Sequence, residues 1–169
     1  NLVTPAPHVP LIARTLPLAR QTGLTIPVVY NTNAYENVQT LKMLEGLIDI
    51  YLPDFKYVSS LLAKRYSDAE DYFDVAAKAI AEMYRQVGNI KLDENGMAAS
   101  GVLIRHMVLP GCVDDTRRVL DYVSANYPKN VYISIMSQYA PPKDDLPRPI
   151  NRRITKGEYD RALDYAISK

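Results

Sequence analysis

Asp54 and Lys56 are the pair of residues with the clearest chemical potential, because they flank Phe55 at the end of an apolar run. At a spacing of two on a β-strand, both side chains leave the same face. If that face points into a barrel, both charges are partly desolvated, and an unpartnered buried charge costs several kcal/mol, against the roughly 0.2–1 kcal/mol that an exposed pair returns. We therefore expect the two to pair with each other or to bind a charged ligand. The alternative is that both charges are exposed to solvent where the strand meets a loop.

A second apolar run contains Arg105 next to His106, so only one of them faces inward. Arginine among apolar neighbours needs a carboxylate partner. We interpret His106 first as a hydrogen-bonded histidine of the sheet, and His8 as a residue at a helix start. A nucleophile pair of Cys112 with His106 is disfavoured, because the preceding proline and glycine place Cys112 in a turn.

Several common catalytic motifs are missing. The seven glycines never form GxG or GxxxxGK, and neither GxSxG nor HExxH occurs. Two histidines and one cysteine argue against a closed zinc site.

Five apolar runs rich in β-branched and aromatic residues predict the strands that must position these side chains. Near-continuous apolar character is typical of strands buried on both faces of a parallel sheet. The runs are Leu2-Val3-Thr4, IPVVY at 26–30, LIDIYLPDF at 47–55, GVLIRHMVL at 101–109 and VYISIM at 131–136.

Helical periodicity separates these runs. Three predicted helices stop at a glycine, which enters the left-handed region without Cβ strain, and Thr155-Lys156-Gly157-Glu158 is a capping box for the last helix. The helices are predicted over 8–22, 36–45, 59–66 and 70–87, from Asp114 or Asp115 to before Pro128, and after Thr155.

Repeated strand–helix alternation predicts right-handed parallel crossovers and hence an α/β fold. Five to six units suit an open or partial TIM-like barrel better than a closed eightfold barrel of about 250 residues. We expect a single domain over 1–169, with a surface loop or small hairpin at 88–100 and an irregular proline-rich segment at 140–153. Polar residues follow all five strands, which predicts a pocket rim at their carboxyl ends.

The composition excludes several function classes. The chain has 169 residues, a net charge of +1 and one cysteine, so nothing favours nucleic acid or an anionic membrane as a partner. No apolar run approaches the roughly 18 residues of a membrane span. A single cysteine makes the reducing cytoplasm the default compartment. The abrupt apolar start without Met predicts a fragment of a longer chain.

Six segments, in this order and spacing, resemble radical S-adenosylmethionine proteins related to the pyruvate formate-lyase activating enzyme. The resemblance covers the chain from residue 1 to 169, and the third and fifth segments are its most specific motifs. The segments are NLVTPAPHVP, IPVVYNTNAYENVQTLKMLEG, IDIYLPDFKY, EMYRQVG, LIRHMVLPG and ISIMSQYAPP. The resemblance implies a partial (β/α)6 barrel that lacks the first strand and its CxxxCxxC motif.

The resemblance also implies roles for individual residues. The S-adenosylmethionine-binding set would be Thr4, Asn31, Thr32, Asp54, Lys56 and Arg105. Thr4 replaces a glutamate that grips the methionine amino group. Asn31 replaces an aspartate, which puts a monovalent cation at Asp54 in doubt. Gln138 and Tyr139 fall where activating enzymes have Tyr-His, on the substrate side.

The family's cofactors are S-adenosylmethionine and a [4Fe-4S] cluster, and together they generate a 5′-deoxyadenosyl radical. The implied partners are a glycyl-radical enzyme and an electron donor such as flavodoxin or ferredoxin. Without cluster cysteines, this chain by itself is expected to be inactive, and the exposed edge of its first strand invites pairing with another copy.

Two other functions stay open. One is an aldolase-like barrel in which Lys56 forms a Schiff base, since a desolvated lysine beside other charges can act as a nucleophile. The other is a non-catalytic domain that docks a partner through a tyrosine-rich surface, because 13 of the 169 residues are tyrosine.

Overall fold

The computed structural model describes residues 1–143 and 145–169. Its strands are β1 (Leu2–Val3), β2 (Val29–Thr32), β3 (Ile50–Pro53), β4 (Lys91–Leu92), β5 (Ala98–Met107) and β6 (Tyr132–Met136). Its helices are α1 (Val9–Gln21), α2 (Val38–Lys42), α3 (Ser60–Ser67), α4 (Tyr72–Val87), α5 (Val113–Asn126) and α6 (Lys156–Ile167). Residue 144, inside the segment predicted to be irregular, lies outside the described residues.

Five of the strands form a parallel sheet in the order β1-β2-β3-β5-β6. β4 pairs antiparallel with the start of β5, so residues within 88–100 form a short hairpin. The helices connect parallel neighbours, as right-handed crossovers require. The predicted α/β fold with a partial TIM-like barrel is confirmed.

The two faces of the sheet differ in burial. One face is covered by helices and holds the main core, with Tyr30, Tyr51, Phe55 and Ile104 fully buried. The other face carries the alternate residues of the same strands, which are half-buried and include Leu52, Asp54, Leu103 and Arg105. The second face is the concave inner face of the partial barrel.

Strand boundaries differ from the predicted ones for local reasons. β2 begins at Val29 rather than at 26, because Pro27 has no N–H for the ladder and Ile26 is exposed. β5 begins at Ala98, before the predicted start at 101, because its first residues pair with β4. Gly101 sits at a φ of +119°, and a Cβ there would lie 2.4 Å from the carbonyl oxygen of Asn89. Only glycine allows this close approach of two backbones.

Most helix ends follow the predicted signals. The helix predicted over 36–45 is shorter: α2 begins after its N-cap Asn37 and ends at Lys42, and turns at 43–47 lead past Gly46. α4 ends at Gly88, which has a φ of +66°. The capping box of α6 is formed as predicted, with the Thr155 hydroxyl accepting from the Glu158 N–H and the Glu158 carboxylate accepting from the Thr155 N–H. Among the described residues, no helix is long and apolar enough to cross a membrane.

The tyrosine-rich surface expected from composition is wrong. Of the 13 tyrosines, Tyr35 and Tyr132 are exposed, and the others are buried or half-buried. Several pack against one another in the core: the rings of Tyr30 and Tyr51 are tilted at 59°, and those of Tyr57 and Tyr72 meet edge-to-face. Their rings contribute apolar area to the interior, with the hydroxyl groups hydrogen-bonded at its margin.

Candidate functional site

Three strand ends converge on one guanidinium. Nη2 of Arg105 lies 2.7 Å from Oδ1 of Asn31 and 2.6 Å from Oδ1 of Asp54. The side chains of Arg105 and Asp54 are each 24% exposed. Because β2, β3 and β5 are parallel and adjacent, residues far apart in sequence meet at their carboxyl ends. The predicted convergence of strand-end side chains is therefore present for these three.

Asp54 pairs with Arg105 and not with Lys56. The expectation of an Asp54–Lys56 pair is wrong, because the neighbouring strand places Arg105 directly beside Asp54 through a parallel bridge. Lys56 is half-buried as a residue, and among the described residues its ammonium takes part in no ion pair or side-chain hydrogen bond. The guanidinium of Arg105 also lies against the carboxylate at which the resemblance implied a monovalent cation.

Lys56 stands where three cavities meet. One is a cleft of about 100 Å³ lined by Asp54, Lys56, Arg105, Met107, Met136 and Gln138. A second, apolar cavity of about 200 Å³ is lined by Tyr66 of α3 and, after β6, by Tyr139 and Ile150. A third, of about 210 Å³, borders Asn33, Tyr35 and Tyr72. The charged cleft and the apolar cavity share Met107 as well as Lys56.

Tyr72 holds the loops that carry the site, and no sequence motif pointed to it. Its hydroxyl donates to the carbonyl oxygens of Asp54, at 2.6 Å, and Asn33, at 2.9 Å, and accepts from the Lys56 N–H at 3.1 Å. Burial raises the pKa of Tyr72, so the hydroxyl stays protonated as a donor. This residue ties the loops after β2 and β3 together at the first turn of α4.

The loop after β2 is shaped by a buried carboxylate. Glu36 accepts from the hydroxyl of Tyr30, at 2.7 Å, and from the hydroxyl of Thr32. The Thr32 oxygen in turn accepts from the N–H of Ala34, which has a φ of +62°. Thr32, implied as a ligand contact, is therefore 4% exposed and committed to the turn that presents Asn31 and Asn33.

Thr4 lies at the exposed end of β1. Its N–H donates to the carbonyl oxygen of Asn31 at 2.9 Å, and its φ is +52°. The hydroxyl has no hydrogen bond within the described residues. Thr4 thus extends the rim next to Asn31 but is not part of the Arg105 cluster.

Gln138 and Tyr139, the two residues predicted to lie on the substrate side, line different cavities. Gln138 is exposed and lines the charged cleft with Arg105. The Tyr139 hydroxyl donates to the carbonyl oxygen of Ile150 at 2.7 Å, and its ring lines the apolar cavity. Tyr139 therefore fastens the chain after β6 over that cavity.

His106 lies on the opposite face of β5 from Arg105 and is 2% exposed. Nδ1 is 2.7 Å from the carbonyl oxygen of Phe55, which can only accept, so Nδ1 carries the proton and Nε2 accepts from the Thr116 hydroxyl at 2.9 Å. Burial lowers the pKa of His106. The interpretation of a hydrogen-bonded sheet histidine is confirmed.

The chemistry of the cleft fits an amino-acid headgroup. Asp54 offers a carboxylate for an ammonium, and two cations, Arg105 and Lys56, are available for a carboxylate. Nε of Arg105 is inaccessible to solvent and has no hydrogen-bond partner within the described residues. An ordered ligand or water in the cleft would satisfy it.

An iron–sulfur cluster does not fit the residues of this chain. Cys112 is the single cysteine, and it is buried in the turn before α5, where burial raises the pKa of its thiol. Clusters are held by several thiolates. Among the described residues there is no group of three histidine, cysteine or carboxylate side chains placed to hold a metal ion.

Comparisons with known proteins show that this architecture also occurs in a solved structure. No protein-family model matches the chain. The crystal structure of a domain of pyruvate-formate lyase-activating enzyme from Bacteroides vulgatus superposes with a TM-score of 0.68, covering 99% of this chain and 91% of that domain. The sequence identity is 13%, so the likeness is one of fold.

In sequence, the chain is 34% identical over 164 residues to an uncharacterized protein of Methanocaldococcus jannaschii. The match covers 96% of this chain and 43% of that protein, so the chain spans less than half the length of this relative.

Proposed function

We propose that this chain is the S-adenosylmethionine-binding part of a radical S-adenosylmethionine enzyme of the activating-enzyme kind. The observation that carries the proposal is the meeting of Asn31, Asp54 and Arg105 at the carboxyl ends of three parallel strands. The shared fold with a domain of a pyruvate-formate lyase-activating enzyme supports it.

Different residues of the chain bind the ammonium and the carboxylate of the methionine headgroup. Asp54 accepts hydrogen bonds from the ammonium group through the oxygen that Arg105 leaves free. Arg105 pairs with the carboxylate, and Lys56 is the second cation at the edge of the cleft. Asn31 orients the guanidinium, and Tyr72 fixes the loop positions of Asn33 and Asp54, so the binding groups are preorganised.

Bound S-adenosylmethionine would supply hydrogen-atom abstraction from a substrate, with one electron required for its cleavage to methionine and a 5′-deoxyadenosyl group. The electron requires a cluster whose ligands lie outside these 169 residues. The inner face of the barrel excludes water from one side through Leu52, Leu103 and Met107. By the family resemblance, the substrate would be a glycyl-radical enzyme, and a flavodoxin or ferredoxin would supply the electron.

The test is calorimetric titration of S-adenosylmethionine into the protein, prepared with all residues that its gene places before Asn1. We expect binding in the wild type and at least roughly tenfold weaker binding in Asp54→Ala, which removes a charge-assisted contact. Asp114→Ala, on the exposed start of α5, is the matched control and keeps full affinity. Equal affinity in Asp54→Ala would remove Asp54 from the site. A gene without a cysteine triplet upstream would overturn the assignment to this class.

A further inference from the structure

We propose that the apolar cavity beside the cleft binds an aromatic or branched-chain carboxylic acid, with Lys56 holding its carboxylate. The acid is a small-molecule ligand bound beside the site proposed for S-adenosylmethionine, and any part it plays in the reaction rests on the proposed function. The binding itself requires only the cavity and Lys56.

The cavity is built to hold an apolar body. Its lining side chains are Tyr57, Tyr66, Met107, Leu109, Tyr139 and Ile150. Its volume is about 200 Å³. A cavity of about 150 Å³ is sufficient for a benzene ring. A phenyl ring or a branched aliphatic chain therefore fits, and three tyrosine rings and a methionine offer it edge and sulfur contacts.

Lys56 is the charged residue in the wall of the apolar cavity. Among the described residues that line the cavity, it is the single ionised side chain, and it takes part in no ion pair there. The nearby acid, Asp54, is already neutralised by Arg105 at 2.6 Å. Because Lys56 has no acid partner among the described residues, its ammonium is available to an anionic ligand.

A single cation, the Lys56 ammonium, favours the binding of a carboxylate rather than a phosphate. Phosphate sites use several donors, commonly a bidentate arginine or a row of backbone N–H groups. The guanidinium of Arg105, on the inner face of β5, is engaged by Asn31 and Asp54, and Arg105 does not line this cavity. A monoanion with an apolar body matches one ammonium above an apolar wall.

The position of Lys56 connects this ligand to the cleft. Lys56 and Met107 line both spaces, so a molecule in the cavity lies next to the Asp54–Arg105 pair. Tyr139 and Ile150 form part of the cavity wall, and the Tyr139 hydroxyl donates to the Ile150 carbonyl oxygen. An acid bound at Lys56 would therefore lie next to the place proposed for S-adenosylmethionine.

The experiment uses 3-phenylpropionate and its neutral amide, 3-phenylpropanamide, as probes, titrated by calorimetry into the protein without S-adenosylmethionine. We expect the acid to bind at least roughly tenfold more tightly than the amide. In Lys56→Met, which keeps the apolar stem, this preference disappears. Lys91→Met, on the exposed strand β4, is the matched control and retains the preference.

Either of two results overturns the inference: no binding of the acid to the wild type, or an unchanged preference for the acid in Lys56→Met. Binding of the amide to Lys56→Met with the wild-type affinity shows that the cavity is intact in that variant, and loss of amide binding there would also contradict the inference. Loss of S-adenosylmethionine binding with intact binding of the acid would contradict the proposed function and leave the cavity assignment standing.

Discussion

Arg105 and Asp54 are 51 positions apart in sequence, yet Nη2 of the arginine lies 2.6 Å from Oδ1 of the aspartate. The two residues are bridged backbone to backbone on adjacent parallel strands. Each side chain is 24% exposed, so the ion pair is partly shielded from water. This ion pair sets the charge of the inner face and leaves Lys56 as the cation without a partner among the described residues.

The Asp54–Arg105 pair predicts a measurable coupling. In a double-mutant cycle with Asp54→Ala and Arg105→Ala, we expect a coupling free energy of about 1–2 kcal/mol in urea unfolding, as for a partly buried charge-assisted hydrogen bond. The exposed Arg117–Asp114 pair is the control, with a coupling near zero. Additive single-mutant effects at Asp54 and Arg105 would contradict the geometry.

Tyr72→Phe should destabilise the protein by about 1–3 kcal/mol. The change leaves two carbonyl oxygens and one N–H without their buried partner. The same change at Tyr165, whose hydroxyl bonds the exposed Asp121, should cost less than about 0.5 kcal/mol. Thermal or urea unfolding of the two variants measures the difference. Equal stabilities would show that the Tyr72 hydroxyl does not hold the loops.

His106 predicts a loss of stability in mild acid. Burial lowers its folded-state pKa below the unfolded value of about 6.5. Below pH 6.5 the unfolded chain therefore binds more protons at this residue, and the free energy of unfolding falls by up to about 1.4 kcal/mol per pH unit until the folded pKa is reached. Urea unfolding between pH 7.5 and 5 measures the slope.

The slope in this window should vanish in His106→Gln, and a wild-type curve that is flat from pH 7.5 to 5 would contradict the assignment.

Carboxylates change the free energy of unfolding at lower pH than His106 does. Arg85 lowers the pKa of Glu82 to about 2, so the stability from that pair is complete above about pH 4.5 and is lost as the pH falls toward 2.

Glu158→Gln should cost about 2–3 kcal/mol of stability. The buried carboxylate accepts from the Gly111 N–H at 2.7 Å, from the Thr155 N–H at 2.9 Å, and from both terminal nitrogens of Arg152 at 2.8 Å. Glutamine keeps the shape but loses charge-assisted acceptors. Asp160→Asn, in an exposed pair with Lys156, is the control and should change stability by less than about 0.5 kcal/mol. Equal unfolding midpoints for the two variants would exclude this role of Glu158.

Borohydride treatment separates the proposed function from the Schiff-base alternative. With pyruvate present, we expect intact-mass spectrometry to show no adduct on Lys56, because we assign its ammonium to binding an anion. A stable adduct that disappears in Lys56→Met and persists in Lys91→Met would favour the aldolase-like reaction instead.

Much of the architecture was predictable because its signals are local. The apolar runs predicted five parallel strands, the glycines predicted helix ends such as that at Gly88, and Thr155 with Glu158 predicted the capping box. His106 was interpreted correctly because alternation along a strand determines the face of each side chain. These properties depend on backbone geometry within a few residues of the signal.

The partner of Asp54 could not be predicted in this way. Spacing along β3 places Asp54 and Lys56 on one face, but which cation lies closest depends on the register between β3 and β5. The tyrosines illustrate the same limit, since composition cannot distinguish a surface ring from a core ring. Tyr72 carries no motif, and its role comes from the point at which α4 packs against two loops.

The sequence by itself determined the fold class, most helix limits and the set of polar side chains at the strand ends, since period and capping act over short distances. Only the tertiary structure decided that Asn31, Asp54 and Arg105 form one cluster, that Thr32 is bound to Glu36, and that Lys56 opens onto an apolar cavity. Those outcomes depend on how strands align and on which space neighbouring elements leave unfilled, and no single segment of the chain contains that information.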